Sequence, residues 1–425
     1  MEFPENPINP EIQPPQPEAP PAATDSITPP ESFLESAAAP EEDALAPQAE
    51  KQSWMERSFH WIRWAFIGGD GLRAGWSVAI FAILIALIAS GVGFVFVQFQ
   101  LIGKKTVFTP IAAFFEELVG FLALVGAAAL VALIERRRSL LAFNLTGPRR
   151  IPHFFSGLAA GFAALSVLVG ALAWGSWLHF GPVALSGAQI FKFGALWAAA
   201  FLLVGCVEEG LFRCYLQFTL TRGINFWWAL GCVSLICLEL VLTAKGNGLW
   251  GVYAIALLGL FPCLMLHIRK TPRSGFWQAA WVTSTLFGYI HTGNNGEDPI
   301  GIFAAALIGF AFCVSVWVTG SAWWAIGCHA AWDWAETYFY GAADSGNVAS
   351  GHFLTTTTNT ASNILWSGGT DGPEGSLLVL PVILLLLVAL LVIYGRKNES
   401  AKEESSGLER DSQGAESGEN GALLS

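Results

Sequence analysis

About ten apolar runs, each close to the length at which a helix crosses a bilayer, fill the chain between residues 76 and 393. A helix rises 1.5 Å per residue, so roughly 20 residues span a ~30 Å hydrocarbon layer. Lipid offers no hydrogen bonds, so a spanning segment must satisfy its own backbone. Continuous apolar runs of this length favour helices. The runs are Trp76 to Val97, Ile111 to Ile134, Phe154 to Leu178, Phe193 to Leu220, Phe226 to Leu242, Leu249 to Leu266, Phe276 to Ile290, Ile300 to Val318, Ala322 to Tyr340, and Leu377 to Ile393. They predict an all-α, polytopic membrane helix bundle of about ten transmembrane helices. Of the 425 residues, 53% are hydrophobic and 13% charged, too little polar surface to cover such a core in water.

The remaining segments divide the chain. Residues 1–55 are rich in Pro, Ala and Glu and lack a basic start, which predicts a disordered acidic tail rather than a signal peptide. Residues 56–192 hold an interfacial stretch, with Arg57, Arg63 and Phe59 to Phe66, followed by three spans. Residues 193–340 form a core with an inserted hairpin at about 226–266, residues 341–375 a long loop, residues 376–395 the last span, and residues 396–425 a second disordered, charged tail. The formal charge of −11 sits largely in the tails and gives no footprint for nucleic acid. Cys206, Cys214, Cys232, Cys237, Cys263, Cys313 and Cys328 lie in apolar segments without a CxxC pair, which reads as core packing.

Basic residues assign the sides of the membrane, because cytoplasmic loops collect Lys and Arg. Arg136, Arg137, Arg138, Arg149 and Arg150 follow the second span, and Arg222 follows the fourth. Arg269, Lys270 and Arg273 follow the sixth, and Arg396 and Lys397 the last. These are all even-numbered exits, so both termini are expected in the cytoplasm, in the plasma membrane. The segment from Gly341 to Gly375 contains no Lys or Arg and is expected to face outward; Lys104 and Lys105 are a minor exception.

A charge at the bilayer centre costs about 2.5–3.5 kcal/mol, so a cluster of charges there needs a reason. The fourth span carries Cys206-Val-Glu-Glu-Gly-Leu-Phe-Arg213. Glu209 and Arg213 are four residues apart and pair on one helix face, while Glu208, rotated by about 100°, is free to point elsewhere. A free, desolvated carboxylate suits a general base. The seventh span ends in Phe287-Gly-Tyr-Ile-His291, and the ninth carries His329-Ala-Ala-Trp-Asp333 with Glu336 one turn beyond.

These blocks, EExxxR (Glu208, Glu209, Arg213), FxxxH (Phe287, His291) and HxxxN/D (His329, Asp333), occur in order. The chain from about Phe193 to Tyr340 thereby resembles the CAAX-protease and bacteriocin-processing family, also called CPBP or Abi. The resemblance implies an intramembrane endopeptidase acting on membrane-embedded or lipid-linked peptides. In it Glu208 activates water, Glu209 and Arg213 hold the helix, and His291 and His329 either bind a metal or stabilise the oxyanion. Asp333 would orient His329 or position the water. A metal would be zinc, held by His291, His329 and Glu208; the metal-free glutamate mechanism stands equally open. Asp333 replaces the commoner Asn and loses its donor unless protonated. The inserted hairpin departs from the minimal core.

Other features have plainer readings. Gly157 and Gly161 suit close helix packing, and Pro381 a tolerated kink. Glu116 and Glu117 read as interfacial or structural, Glu239 as an interhelical partner, His267 as interfacial, and Glu336 as either a site residue or a capping or hydrogen-bonding group. Trp323, Trp324, Trp332 and Trp334 read as an interfacial belt and bundle packing. Gly75-Trp-Ser77 lacks a histidine partner for a serine protease. The competing function is a transporter or scaffold using the same buried polar cluster, although no internal repeat supports a transporter.

Overall fold

A computed structural model describes residues 63–395, apart from 64, 69–70, 104–107, 136–138, 244–248, 272, 295–297 and 360; side chains of 249–253 and 255 are also excluded. The two tails, most of the interfacial stretch, and Lys104, Lys105, Arg136, Arg137, Arg138, Arg396 and Lys397 lie outside the described residues.

Each apolar run is a helix. They are α1 (Ala74–Gln98), α2 (Pro110–Ile134), α3 (Arg150–Trp174), α4 (Ala188–Glu209), α5 (Phe226–Thr243), α6 (Leu249–Ile268), α7 (Ser274–His291), α8 (Pro299–Thr319), α9 (Trp323–Asp333) and α10 (Val379–Leu390). Six stretches are long and apolar enough to cross a membrane: α1, α2, α3, α4 with its continuation to Thr221, α5, and α8. Two shorter apolar helices cover Ala256–Ile268 and Val379–Gly395. The expected ten spans are thus six by length and hydropathy, with two shorter ones. The exceptions, α7 and α9, owe their lower hydropathy to Gln278, Thr283, Ser284, Thr285, His291, His329 and Asp333.

Small antiparallel ribbons interrupt the all-α pattern. Strands β1 (Ile67–Gly68) and β2 (Gly71–Leu72) form one, and β3 (Leu178–Val183) and β4 (Leu354–Thr358) the other. The second ribbon ties the chain after α3 to the chain after α9. Ser350 N–H donates to the Phe108 carbonyl at 2.9 Å, bringing in the chain after α1, and Asp298 N–H donates to Asp371 Oδ2 at 3.4 Å, bringing in the chain after α7. At the opposite end Arg222, beyond α4, meets Glu135, beyond α2, at 3.5 Å. The exits of α1, α3, α7 and α9 therefore gather at one end and those of α2 and α4 at the other, as alternating spans require.

Large side chains such as Leu87, Leu133, Phe191 and Leu242 remain exposed around the bundle, a surface suited to lipid. The interior is sealed by glycine. An added Cβ at Gly157 would sit 2.2 Å from the Trp324 carbonyl oxygen, and at Gly161 2.0 Å from that of Cys328. From the other side, a Cβ at Gly327 would sit 2.3 Å from the Phe154 oxygen. Helices α3 and α9 therefore touch backbone to backbone, the small-residue packing expected of Gly157 and Gly161. All seven cysteines are free thiols.

Gly161→Ala should lower stability by about 1–3 kcal/mol through overpacking of this seam. Gly170→Ala, on the same helix with nothing within 4 Å of the new Cβ, should change it by less than about 0.5 kcal/mol. Thermal unfolding of both variants in detergent checks the contrast.

Candidate active site

Helix α4 delivers Glu208 and Glu209 at its last two positions and then widens into a π-helical stretch, Gly210–Leu216, that carries Arg213. π turns inside helices are rare and occur frequently at functional sites. The two neighbouring glutamates have opposite environments. The Glu209 side chain is 0% exposed and that of Glu208 29%.

Glu209 is shared. Its Oε2 lies 3.1 Å from Arg213 Nε, and its Oε1 accepts from Arg213 Nη1 at 3.3 Å and from His329 Nδ1 at 2.8 Å. Arg213 is itself fully buried, its guanidinium 4.4 Å from the Phe287 ring centroid and 5.4 Å from that of Phe312. Aromatic faces stabilise a desolvated cation here, which gives the Phe of the FxxxH block a physical task. Phe312 also stacks on His329 at 5.7 Å and 24°.

With Nδ1 committed to Glu209, His329 turns Nε2 toward two other carboxylates, Asp333 Oδ2 at 3.5 Å and Glu208 Oε2 at 3.8 Å. Glu208 Oε2 makes no hydrogen bond to the protein. His291 donates from Nδ1 to the Phe287 carbonyl at 2.7 Å, which fixes the ring and leaves Nε2 free of that bond.

Glu208, His291, His329 and Asp333 all line one cavity of about 280 Å³. Glu209 and Arg213 stand behind its wall. The vertical offset between Glu208 in α4 and His291 at the end of α7 does not separate them, since both border the same space. Glu117 of α2 also lines it, a placement that the interfacial or structural reading did not include. The acid in an apolar run was the available signal, outweighed by its nearness to a helix start. Asp344 and Glu374, from the segment after α9, line the cavity too; nothing in their local sequence distinguishes them from ordinary loop acids. Burial pushes the Asp344 carboxyl above the ordinary carboxylate range; the Thr337 hydroxyl, His329 and His291 oppose the shift and Glu208 adds to it.

Other sequence readings have definite positions. Tyr289 OH donates to Glu239 Oε2, making Glu239 the interhelical partner expected. His267 stacks on Phe226 at 4.9 Å. Ser77 donates to Glu135 and is fully buried. Glu336 accepts a hydrogen bond from Trp332 Nε1 at 3.1 Å, and Trp324 and Trp332 are buried in the bundle.

Zinc requires three converging protein ligands and an open position. Among the described residues, the three side chains whose ligand atoms all lie within 4.8 Å of one another are Glu336, Asp344 and Glu374. His291, His329 and Glu208 are not gathered into such a group, although the Nδ1 bond to Glu209 leaves His329 Nε2 facing the cavity.

Residues 263–335 match the family model described as type II CAAX prenyl endopeptidase Rce1-like. This segment is similar to an Rce1-like domain. The match contains His291, His329 and Asp333 and stops short of Glu208, Glu209 and Arg213, which the fold brings to it. The match likens this part of the chain to an intramembrane endopeptidase. No curated protein and no solved structure matches it.

Removing one member of a buried ion pair costs about 3–5 kcal/mol, because the other charge is left uncompensated. Arg213→Met should therefore destabilise the protein by about that amount. Arg213→Lys should recover only part of it, since lysine lacks the planar fork that reaches both Glu209 oxygens. Unfolding in detergent measures both.

Proposed function

We propose that the chain is an intramembrane endopeptidase in which Glu208 activates water for attack on a peptide carbonyl. The observation that carries the reading is that adjacent glutamates divide two tasks. Glu209 is sealed against Arg213 and His329, while Glu208 opens onto the cavity with Oε2 unbonded.

Glu208 takes a proton from water as the oxygen adds to the scissile carbonyl, and later returns it to the departing amine. His329 Nε2, aimed into the cavity by the Nδ1–H bond to Glu209, donates to the oxyanion when protonated. His291 lines the same space with its remaining nitrogen and is the second candidate donor. Asp333 orients Nε2. Arg213 acts through Glu209 and is a positioning residue. No step is routed through a metal.

The substrate is a membrane-embedded or lipid-linked peptide, in keeping with the prenyl endopeptidase family that residues 263–335 resemble. The basic residues at even-numbered exits favour cytoplasmic termini and the plasma membrane, with the cavity opening near the outward segment 341–375. A transporter or scaffold remains the rival reading, and no described feature favours it.

Glu208→Gln should reduce cleavage of membrane-anchored peptides by about 10²–10⁴-fold, the usual worth of a general base, while the protein stays folded in detergent. Mass spectrometry of the peptide products measures it; wild-type turnover would remove Glu208 from the mechanism, and biological activity surviving without cleavage would favour the scaffold. His329→Ala should cost about 10²–10³-fold in kcat. The zinc chelator 1,10-phenanthroline should leave turnover unchanged, and inhibition reversed by zinc would restore the metal mechanism.

A further inference from the structure

A second group of acids lies where the odd-numbered helices end. Glu336 belongs to the π-helical continuation of α9, Trp334–Tyr340, and Asp344 and Glu374 to the segment that follows. One carboxylate oxygen from each lies within 4.8 Å of the others. Glu336 is 0% exposed; its Oε2 accepts from Trp332 Nε1, and its Oε1 has no hydrogen-bond partner. The same indole donates to Glu374 Oε1 at 2.7 Å, and Thr337 Oγ1 donates to Asp344 Oδ2 at 2.7 Å.

The charged residues acting most strongly on Glu336 are carboxylates, Glu374, Asp344, Asp333 and Asp371, while His329 and His291 act on Asp344. From Ser274 to Gly395 the sequence contains no Lys or Arg. A buried carboxylate oxygen with no donor, set among further carboxylates, is the environment of a cation ligand.

We propose that Glu336, Asp344 and Glu374 bind a hard divalent cation such as calcium, which fastens the segment after α9 to the helix that carries His329. An all-oxygen donor set selects calcium, magnesium or manganese over zinc. Calcium takes 6–8 oxygens in a flexible geometry, which suits carboxylates from separate segments, whereas magnesium demands a near-ideal octahedron at about 2.0–2.1 Å. Asp344 and Glu374 also line the catalytic cavity, so the cation braces its wall. This binding site stands on the placement of the acids and is independent of the reaction in the cavity.

The test uses the full chain in detergent after washing with a calcium chelator. Calcium should raise the unfolding midpoint by several degrees, and sodium at matched ionic strength should not. Terbium, a calcium substitute, should show luminescence sensitised by the Trp332 indole, and calcium should displace it. Asp344→Asn and Glu374→Gln, each a neutral isostere that keeps its volume, should weaken calcium binding at least tenfold. Trp332→Phe should remove most of the sensitised emission while keeping the calcium-dependent shift. A folded protein with no calcium-dependent shift, or variants with wild-type affinity, would overturn the site and show that the acids share protons instead.

Discussion

One buried carboxylate organises the interior. Glu209 accepts from Arg213 on its own helix and from His329 on another, so a single side chain couples the helix bearing Glu208 to the imidazole facing it. Three ionic groups withdrawn from water are tolerable because each is bonded and because Phe287 and Phe312 present aromatic faces to the guanidinium. The π-helical stretch after Glu209 belongs to the same device. It carries Arg213 into this enclosure while Glu208, one residue before Glu209, opens onto the cavity.

The site is assembled from parts distant in sequence. Glu208 and His329 are separated by 121 positions, spanning an inserted helix pair, α5 and α6, that supplies none of the described cavity lining. What closes this distance is side-chain bonding at Glu209 and backbone packing at Gly157, Gly161 and Gly327, the latter holding α9 against α3. Shape and electrostatics thus act on the same helix from two sides.

Much of this was legible in the residues. Helix positions followed from apolar run length, and the Glu209–Arg213 pairing from a spacing of four. Glu208, His291, His329 and Asp333 stood out because charge is costly in lipid. Helices α7 and α9 showed where length and hydropathy fail as guides: the polar groups that make them useful also make them poor apolar spans. Hidden from the sequence were contributions that depend on tertiary approach. Phe312 is one apolar residue among many until His329 stacks on it, and Asp344 and Glu374 look like solvated loop acids until the fold turns them inward. The separation of the expected zinc ligands was hidden for a comparable reason, because the motif named the imidazoles and Glu208 but not their mutual distances.

The glycine seam also limits how a lipid-borne chain can reach the interior cavity. Where α3 and α9 meet atom to atom along their main chains, no polypeptide can wedge between them without prising apart both. That flank acts as a closed wall, and α3 lends no side chain to the described cavity lining. Lateral admission is left to flanks where helices meet through yielding side chains, so the direction of approach is written into the distribution of the smallest residue.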